Sequence, residues 1–94
     1  MIVTNRQVVT DGGQKHADAK GQLEAWFVEA ENAKWQRPGD IKQRYASASI
    51  LAGNVVIFNI KGNRYRLVVK VNYAGGVVLV KWFGTHVAYD KMKF

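Results

Sequence analysis

The chain contains no cysteine, a single proline and no apolar run long enough to cross a bilayer. Without cysteine it forms no disulfide bond, and it has no thiolate that could act as a nucleophile or bind a metal. A membrane-spanning helix needs about 20 mostly apolar residues. The N-terminal residues, MIVTNRQ, also lack the basic start and apolar stretch of a secretory signal. These absences predict a protein of the reducing cytoplasm.

Acidic residues are scarce and unevenly distributed along the chain. The 94 residues include 14 lysines and arginines but 7 aspartates and glutamates, for a net charge of +7. Residues 1–40 carry a net charge of −1 and residues 41–94 carry +8. Such a basic half favours an anionic partner, most often nucleic acid, although an acidic protein or a membrane surface would satisfy the same electrostatics. With 48% hydrophobic residues, residues 1–94 are predicted to form one ordered domain.

The clearest structural pattern lies between residues 55 and 90. Three apolar runs, at 55–60, 64–72 and 77–83, are joined by glycine-containing turns at 61–63 and 74–76. Along the middle run, hydrophobic and cationic side chains alternate, so one face of that strand is predicted to be apolar and the other cationic. The Gly62-Asn63 pair tolerates the positive φ of a tight turn. These features predict an antiparallel meander.

The N-terminal half has the patterns of two helices. Asn5–His16 is the weaker of the two, because Gly12-Gly13 favours a helix poorly. Ala19–Ala33 is the stronger, since its apolar residues recur with helical spacing and Asp18 is placed to cap its first turn. These apolar residues are Leu23, Trp26, Phe27 and Ala30. We expect this second helix to lie across the sheet.

Shorter segments complete the predicted fold. Met1–Thr4 is either an edge strand or an anchor for the terminus, and residues 46–51 are either a strand or the approach to one. Asp40 is placed to cap a short helix over Ile41–Tyr45. Gly84 is expected to break the third strand of the meander. With helices first and sheet after, the pattern predicts an α+β fold.

Several short motifs form a specific combination. Trp26 lies in the second helix, Trp35 is followed by Pro38 and Asp40-Ile41, VIFNI occupies 56–60, GNRYRL occupies 62–67 and GTHVAYDK occupies 84–91. With these motifs the chain resembles the HigB group of RelE-like toxins. Those toxins are ribosome-dependent messenger RNA endonucleases of bacterial toxin–antitoxin modules.

The resemblance implies a fold, an activity and two partners. The fold would be compact and α+β, with two N-terminal helices packed on a curved antiparallel sheet. The activity would be cleavage of messenger RNA in the ribosomal A site by metal-free attack of the 2′-hydroxyl, without a cofactor, which inhibits translation. The first partner would be messenger RNA on the ribosome. The second would be an antitoxin, a HigA-like protein with a helix-turn-helix domain, which binds and silences the toxin.

Metal-free RNA cleavage needs a base for the 2′-hydroxyl proton, an acid for the 5′-oxygen and cations for the charge of the phosphorane. The candidate catalytic residues are Arg66, Lys81, His86 and Tyr89. Histidine changes charge near neutral pH, arginine binds phosphate with parallel hydrogen bonds, lysine neutralises phosphate, and tyrosine stacks on a base or donates a proton. Each also has a structural interpretation. The histidine would fix the C-terminal turn, the cations would be solvated strand residues and the tyrosine would fill the core.

Further charged residues near these positions, four basic and one acidic, are predicted to contact RNA. The predicted RNA contacts are Lys61, Arg64, Lys70, Asp90 and Lys91. Asp90 alternatively orients His86, and Asn63 is interpreted as a turn-forming residue. No metal site is expected, because the chain has two histidines and no cysteine.

Two other functions also fit a basic sheet. A non-catalytic RNA-binding module would bind RNA in a salt-dependent way without cutting it. An interaction subunit would dock the same face on an acidic protein. A neighbouring gene for a small helix-turn-helix protein would favour the toxin over both.

Overall fold

A computed structural model describes residues 1–92, which form one five-stranded sheet with four α-helices. The strands are β1 (Ile2–Thr4), β2 (Ser49–Leu51), β3 (Val55–Ile60), β4 (Tyr65–Asn72) and β5 (Val77–Thr85). The helices are α1 (Arg6–Lys15), α2 (Lys20–Asn32), α3 (Pro38–Arg44) and α4 (His86–Asp90), with short 3-10 turns at Ala17–Ala19 and Ala52–Asn54. No helix within residues 1–92 is both long and apolar enough to cross a membrane.

The strand order across the sheet is β1-β5-β4-β3-β2. Strands β3, β4 and β5 form the antiparallel meander that the three apolar runs predict, and β2 adds a further antiparallel strand. The prediction of a wholly antiparallel sheet is wrong, because β1 pairs with β5 in parallel. No hairpin joins the first strand to the last, so hairpin geometry does not set their relative direction.

Helices α1 and α2 lie within the segments predicted to be helical. The predicted cap of α2 is wrong, since its N-cap residue is Ala19 and no side chain caps it. Asp18 instead forms hydrogen bonds to β4 and the turn before it. Helix α3 precedes β2, where the short helix after Asp40 was predicted, whereas α4, which follows β5, was not expected.

Helix α3 begins three residues earlier than predicted, at Pro38. Proline suits the first position of a helix, because it has no N–H to leave unsatisfied and its φ is already helical. Asp40 therefore lies in the first turn and not at the cap. Its carboxylate accepts a hydrogen bond of 2.9 Å from the backbone N–H of Gln36, which closes the loop before the helix.

Two details of the meander differ from the sequence prediction. Gly84 does not break the third strand, because it pairs with Arg66 in register and β5 continues to Thr85. In the turn between β3 and β4, positive φ angles occur at Lys61 (54°) and Gly62 (64°). Asn63 is therefore not one of the two left-handed residues of this turn.

Helices α1, α2 and α3 contribute residues to a core on one side of the sheet, which we call the covered face. Its strand residues are Val56, Phe58, Ile60, Tyr65, Leu67, Val69, Val71, Val78 and Val80, all packed in one cluster with the helices. Phe58 lies among three aromatic rings. Its centroid is 5.4 Å from that of Trp26, 6.2 Å from that of Trp35 and 5.0 Å from that of Tyr45. The apolar half of the β3 and β4 patterns therefore forms the core.

The opposite side of the sheet, which we call the open face, carries the alternate residues of the same strands. It includes Ile57, Asn59, Arg66, Val68, Lys70, Trp82 and Gly84. Ile57 and Val68 are buried here, yet neither belongs to the core cluster under the helices. The cationic half of the β4 pattern thus lies on a surface that α1–α3 do not cover.

Candidate functional site

Arg66 is the best-held cation of the open face. It lies in β4 between Asn59 of β3 and Gly84 of β5, and its side chain is half-buried. Its Nη1 donates hydrogen bonds to two backbone carbonyl oxygens, that of Asn63 at 3.1 Å and that of Tyr65 at 3.2 Å. Guanidinium has five N–H donors, so donors remain for an anion on the solvent side. Asn63 thus contributes a carbonyl that orients this arginine.

Trp82 lies next to Arg66, because its indole packs over Gly84, the residue that pairs with Arg66 across the sheet. A Cβ built on Gly84 would meet an indole carbon at 2.6 Å, so only glycine leaves room for this placement. The Tyr89 ring of α4 has its centroid 6.3 Å from that of Trp82. Two half-buried aromatic rings therefore lie on the β5 side of the arginine, Trp82 over its cross-strand partner and Tyr89 near Trp82.

Sequence reasoning missed Trp82, although a signal was present. Residues two apart on a strand point to the same face, and an aromatic side chain packs well over a glycine there. A tryptophan two residues before a glycine, as in the W-F-G sequence at 82–84, indicates this arrangement.

Helix α4 holds His86 near the same end of β4. The Thr85 hydroxyl caps the helix by accepting a hydrogen bond of 3.1 Å from the N–H of Ala88. The backbone N–H of His86 donates to the carbonyl of Arg64 at 2.9 Å. His86 Nδ1 lies 3.6 Å from Asp90 Oδ2, one helical turn along. Because residues 63–65 bind both the Arg66 guanidinium and the start of α4, the arginine and the histidine share one end of the sheet.

The turn before β4 is fastened to the start of α2. Asp18 accepts a hydrogen bond of 2.8 Å from Arg64 Nη1 and one of 2.6 Å from the Tyr65 hydroxyl. The backbone N–H of Lys61 donates to Gln22 Oε1 at 2.7 Å. These bonds fix the turn whose carbonyls in turn hold Arg66 and α4. Asp18 is therefore a positioning residue for the candidate site, which local sequence patterns did not reveal.

The hydrogen bond between Asp18 and Tyr65 shifts the pKa values of both groups. The Tyr65 hydroxyl, helped by the Arg64 guanidinium, holds the pKa of Asp18 below its usual 3.8. The hydrogen bond to Asp18, with partial desolvation, raises the pKa of Tyr65 above its usual 10.0. Asp18 is thus held as a carboxylate and Tyr65 as a neutral phenol.

The remaining predicted residues are distributed around this site. Lys70 lies farther along β4 on the open face, near Leu79 of the next strand. Lys81 is the extra residue of a bulge in β5, opposite Val68 and Val69. It lines a groove beside α1 together with Lys91. His86 and Tyr89 thus lie on α4, which is bonded to the turn that holds Arg66, whereas Lys70 lies farther along β4 and Lys81 lines the groove.

Within residues 1–92, no group of three or more histidine, aspartate or glutamate side chains is placed to hold a metal ion. The ring contacts of His16 are with other residues than His86. Its ring packs against those of Tyr65, at 4.8 Å, and Phe83, at 6.0 Å. It is a half-buried part of the packing between α1 and the sheet.

The chain is thus a small α+β protein with a mixed five-stranded sheet, one face of which carries cations. Residues 19–92 match the family model of the HigB toxin, the RelE-like toxic component of a toxin–antitoxin system. Because this match covers most of the chain, the chain belongs to the HigB toxin family, which confirms the resemblance seen in the motifs. A toxin of such a system has an antitoxin as its partner. A search of the curated proteins found no match.

Proposed function

We propose that the chain is a toxin that cleaves messenger RNA on the ribosome and thereby inhibits translation. The position of Arg66 carries this proposal. Its guanidinium lies on an exposed cationic face, held by backbone carbonyls at the end of the sheet where His86 begins α4. A guanidinium fixed in this way is suited to bind a phosphodiester with parallel hydrogen bonds.

In the proposed reaction the ribose 2′-hydroxyl loses its proton and attacks the adjacent phosphorus. The bond from phosphorus to the 5′-oxygen of the next nucleotide breaks, and that oxygen takes up a proton. The products are a 2′,3′-cyclic phosphate and a 5′-hydroxyl. Arg66 and Lys81 stabilise the charge of the phosphorane. His86, with Asp90 one helical turn along, transfers protons, and Tyr89 either stacks on a base or donates a proton.

The geometry of His86 supports a requirement for the ribosome. Its side chain is 46% exposed, and the 3.6 Å between Nδ1 and Asp90 Oδ2 is longer than a hydrogen bond. The imidazole is therefore loosely oriented. An RNA strand held in the ribosomal A site would supply the alignment that the isolated site lacks.

The other predicted RNA contacts differ in whether their side chains are already bonded within the protein. Lys61 and Lys70 are exposed and suited to bind phosphates outside the reacting step. Arg64 is engaged with Asp18, so we propose that it positions the turn first and contacts RNA with its outer nitrogen. The antitoxin is proposed to be a HigA-like protein with a helix-turn-helix domain.

The test is cleavage of a reporter messenger RNA by the purified protein, with and without translating ribosomes. Cuts would be located by primer extension, and the new ends would be tested for a cyclic or 3′-phosphate and a 5′-hydroxyl. We expect cuts within translated codons only when ribosomes are present. If the RNA stays intact in every reaction although the folded protein binds it, the enzymatic function is rejected in favour of a non-catalytic RNA-binding module.

A further inference from the structure

We propose that a groove beside α1 binds the phosphates of the RNA strand next to the cleavage site. This inference rests on the proposed function, because that function supplies RNA as the ligand. The groove, which we call the α1 groove, lies between α1 on one side and β5 with α4 on the other. It has a volume of about 750 Å³, within the range of roughly 300–1,000 Å³ that is usual for ligand sites.

The charge of the α1 groove favours an anion. Lys15 of α1, Lys81 of β5 and Lys91 after α4 all line it, and their side chains are exposed. Within residues 1–92, none of these three ammonium groups forms a salt bridge. Asp11 is the acidic residue lining the groove, and it accepts a hydrogen bond of 2.7 Å from Gln7. Among the described residues that line the groove, three cations thus face one acid.

The walls of the groove fit a nucleotide strand better than a simple ion. Phe83, Trp82 and the ring of His16 line it beside the lysines. Single-stranded nucleic acid is bound by grooves that combine cations for the backbone with aromatic side chains against which bases pack. The α1 groove has both components.

The groove is continuous with the candidate site. Trp82 and Gly84, which border Arg66 on the open face, also line the groove. Strand β1 pairs with β5 at residues 77–79, and beyond them α1 lies along the edge of β5, with Asn5 bonded to the carbonyl of Val80. A strand laid across Arg66 therefore passes over Trp82 into the groove without crossing another strand of the sheet.

Part of this groove lies outside the region that the family model matches. That match begins at residue 19, whereas α1 and Lys15 precede it. The groove therefore adds a binding surface to which the N-terminal helix contributes, and Lys15 tests it without altering any residue of the proposed reaction.

The experiment uses a fluorescent 2′-O-methyl RNA oligonucleotide, which cannot undergo 2′-hydroxyl attack, and measures its affinity for the purified protein over a range of salt concentrations. The variant is Lys15→Gln. Its matched control is Lys34→Gln, which removes the same charge from an exposed lysine near the 73–76 turn at the other end of β5. Ribosome-dependent cleavage is measured in parallel for all three proteins.

We expect Lys15→Gln to weaken binding and to reduce the slope of log affinity against log salt by about 1, as loss of one phosphate contact does. Lys34→Gln should bind like the wild type. Equal affinities and slopes for both variants, or no binding by the wild type, would overturn the inference. Lys15-dependent binding of a poly-glutamate peptide that the RNA oligonucleotide does not displace would also overturn the inference. That result would assign the groove to an acidic protein.

The parallel cleavage assay separates this inference from the proposed function. If the wild type cleaves RNA and Lys15→Gln has no effect on binding, RNA binding by the groove is rejected and the proposed enzymatic function is retained. If Lys15→Gln weakens binding and none of the three proteins cleaves RNA, RNA binding by the groove is supported and the proposed enzymatic function is rejected.

Discussion

The two faces of the sheet are built from alternate residues of the same strands, yet they differ in chemistry. Phe58 and Asn59 are neighbours in β3, but the first is 1% exposed among helix residues and the second lies on the open face. Leu67 and Arg66 divide β4 in the same way. The covered face contains apolar residues that stabilise the fold, whereas the open face presents cations. Substitutions on one face should therefore change stability, and those on the other should change activity.

The largest expected effect is on the covered face. Phe58→Ala removes a fully buried ring from among three other aromatic rings, and we expect it to lower the free energy of unfolding by about 3–5 kcal/mol. Asn59→Ala is the matched control on the other face, where it removes one hydrogen bond of 3.3 Å to the Ser47 carbonyl and should cost about 1 kcal/mol. Denaturant unfolding measures both. Similar losses for the two variants would remove the distinction between the faces.

The next effect concerns His86, which lies beside the open face. His86→Gln keeps a polar side chain at the start of α4 but removes the group that transfers protons. We expect ribosome-dependent cleavage to slow by about 10²–10⁴-fold, while the unfolding free energy stays close to that of the wild type. Single-turnover cleavage measures this. A His86→Gln protein that cuts at the wild-type rate would assign the histidine to the structure of the C-terminal turn.

A smaller effect is expected at Asp18, which links α2 to the turn beneath the site. Because the folded-state pKa of Asp18 is depressed, its contribution to stability is full above the unfolded value of 3.8 and is lost as the pH falls through the folded value. The wild type should therefore lose stability between about pH 5 and pH 2 more steeply than Asp18→Asn. Tyr65→Phe, which removes the main cause of the shift, should flatten the profile in the same way. Parallel profiles for all three proteins would contradict this role.

Local patterns in the sequence predicted much of this contrast. The period-two alternation of β4 correctly assigned Leu67 to an apolar face and Arg66 to a cationic one, because neighbouring side chains on a strand point in opposite directions. Helical spacing likewise placed Leu23 and Trp26 in the core. These features depend on residues close in sequence, which single-sequence patterns report.

The contacts that the sequence did not reveal join distant residues. Asp18 and Tyr65 are 47 positions apart, and β1 pairs with β5 across most of the chain. Neither contact leaves a periodic trace in either segment. Asp18 also has the residue type and position expected of a helix cap, so its local interpretation competed with the tertiary one. The α1 groove escaped notice for the same reason, since its lysines come from three separate elements.

The most direct test of the account is to compare ribosome-dependent cleavage by Arg66→Gln and Arg37→Gln. Arg37 is a matched control, because its side chain is 78% exposed and lies 4.0 Å from Asp40 before α3, away from the open face. We predict that Arg66→Gln cleaves about 10²–10³-fold more slowly than the wild type, that Arg37→Gln cleaves at the wild-type rate, and that both fold. Wild-type cleavage by folded Arg66→Gln would contradict the assignment of the open face as the catalytic surface.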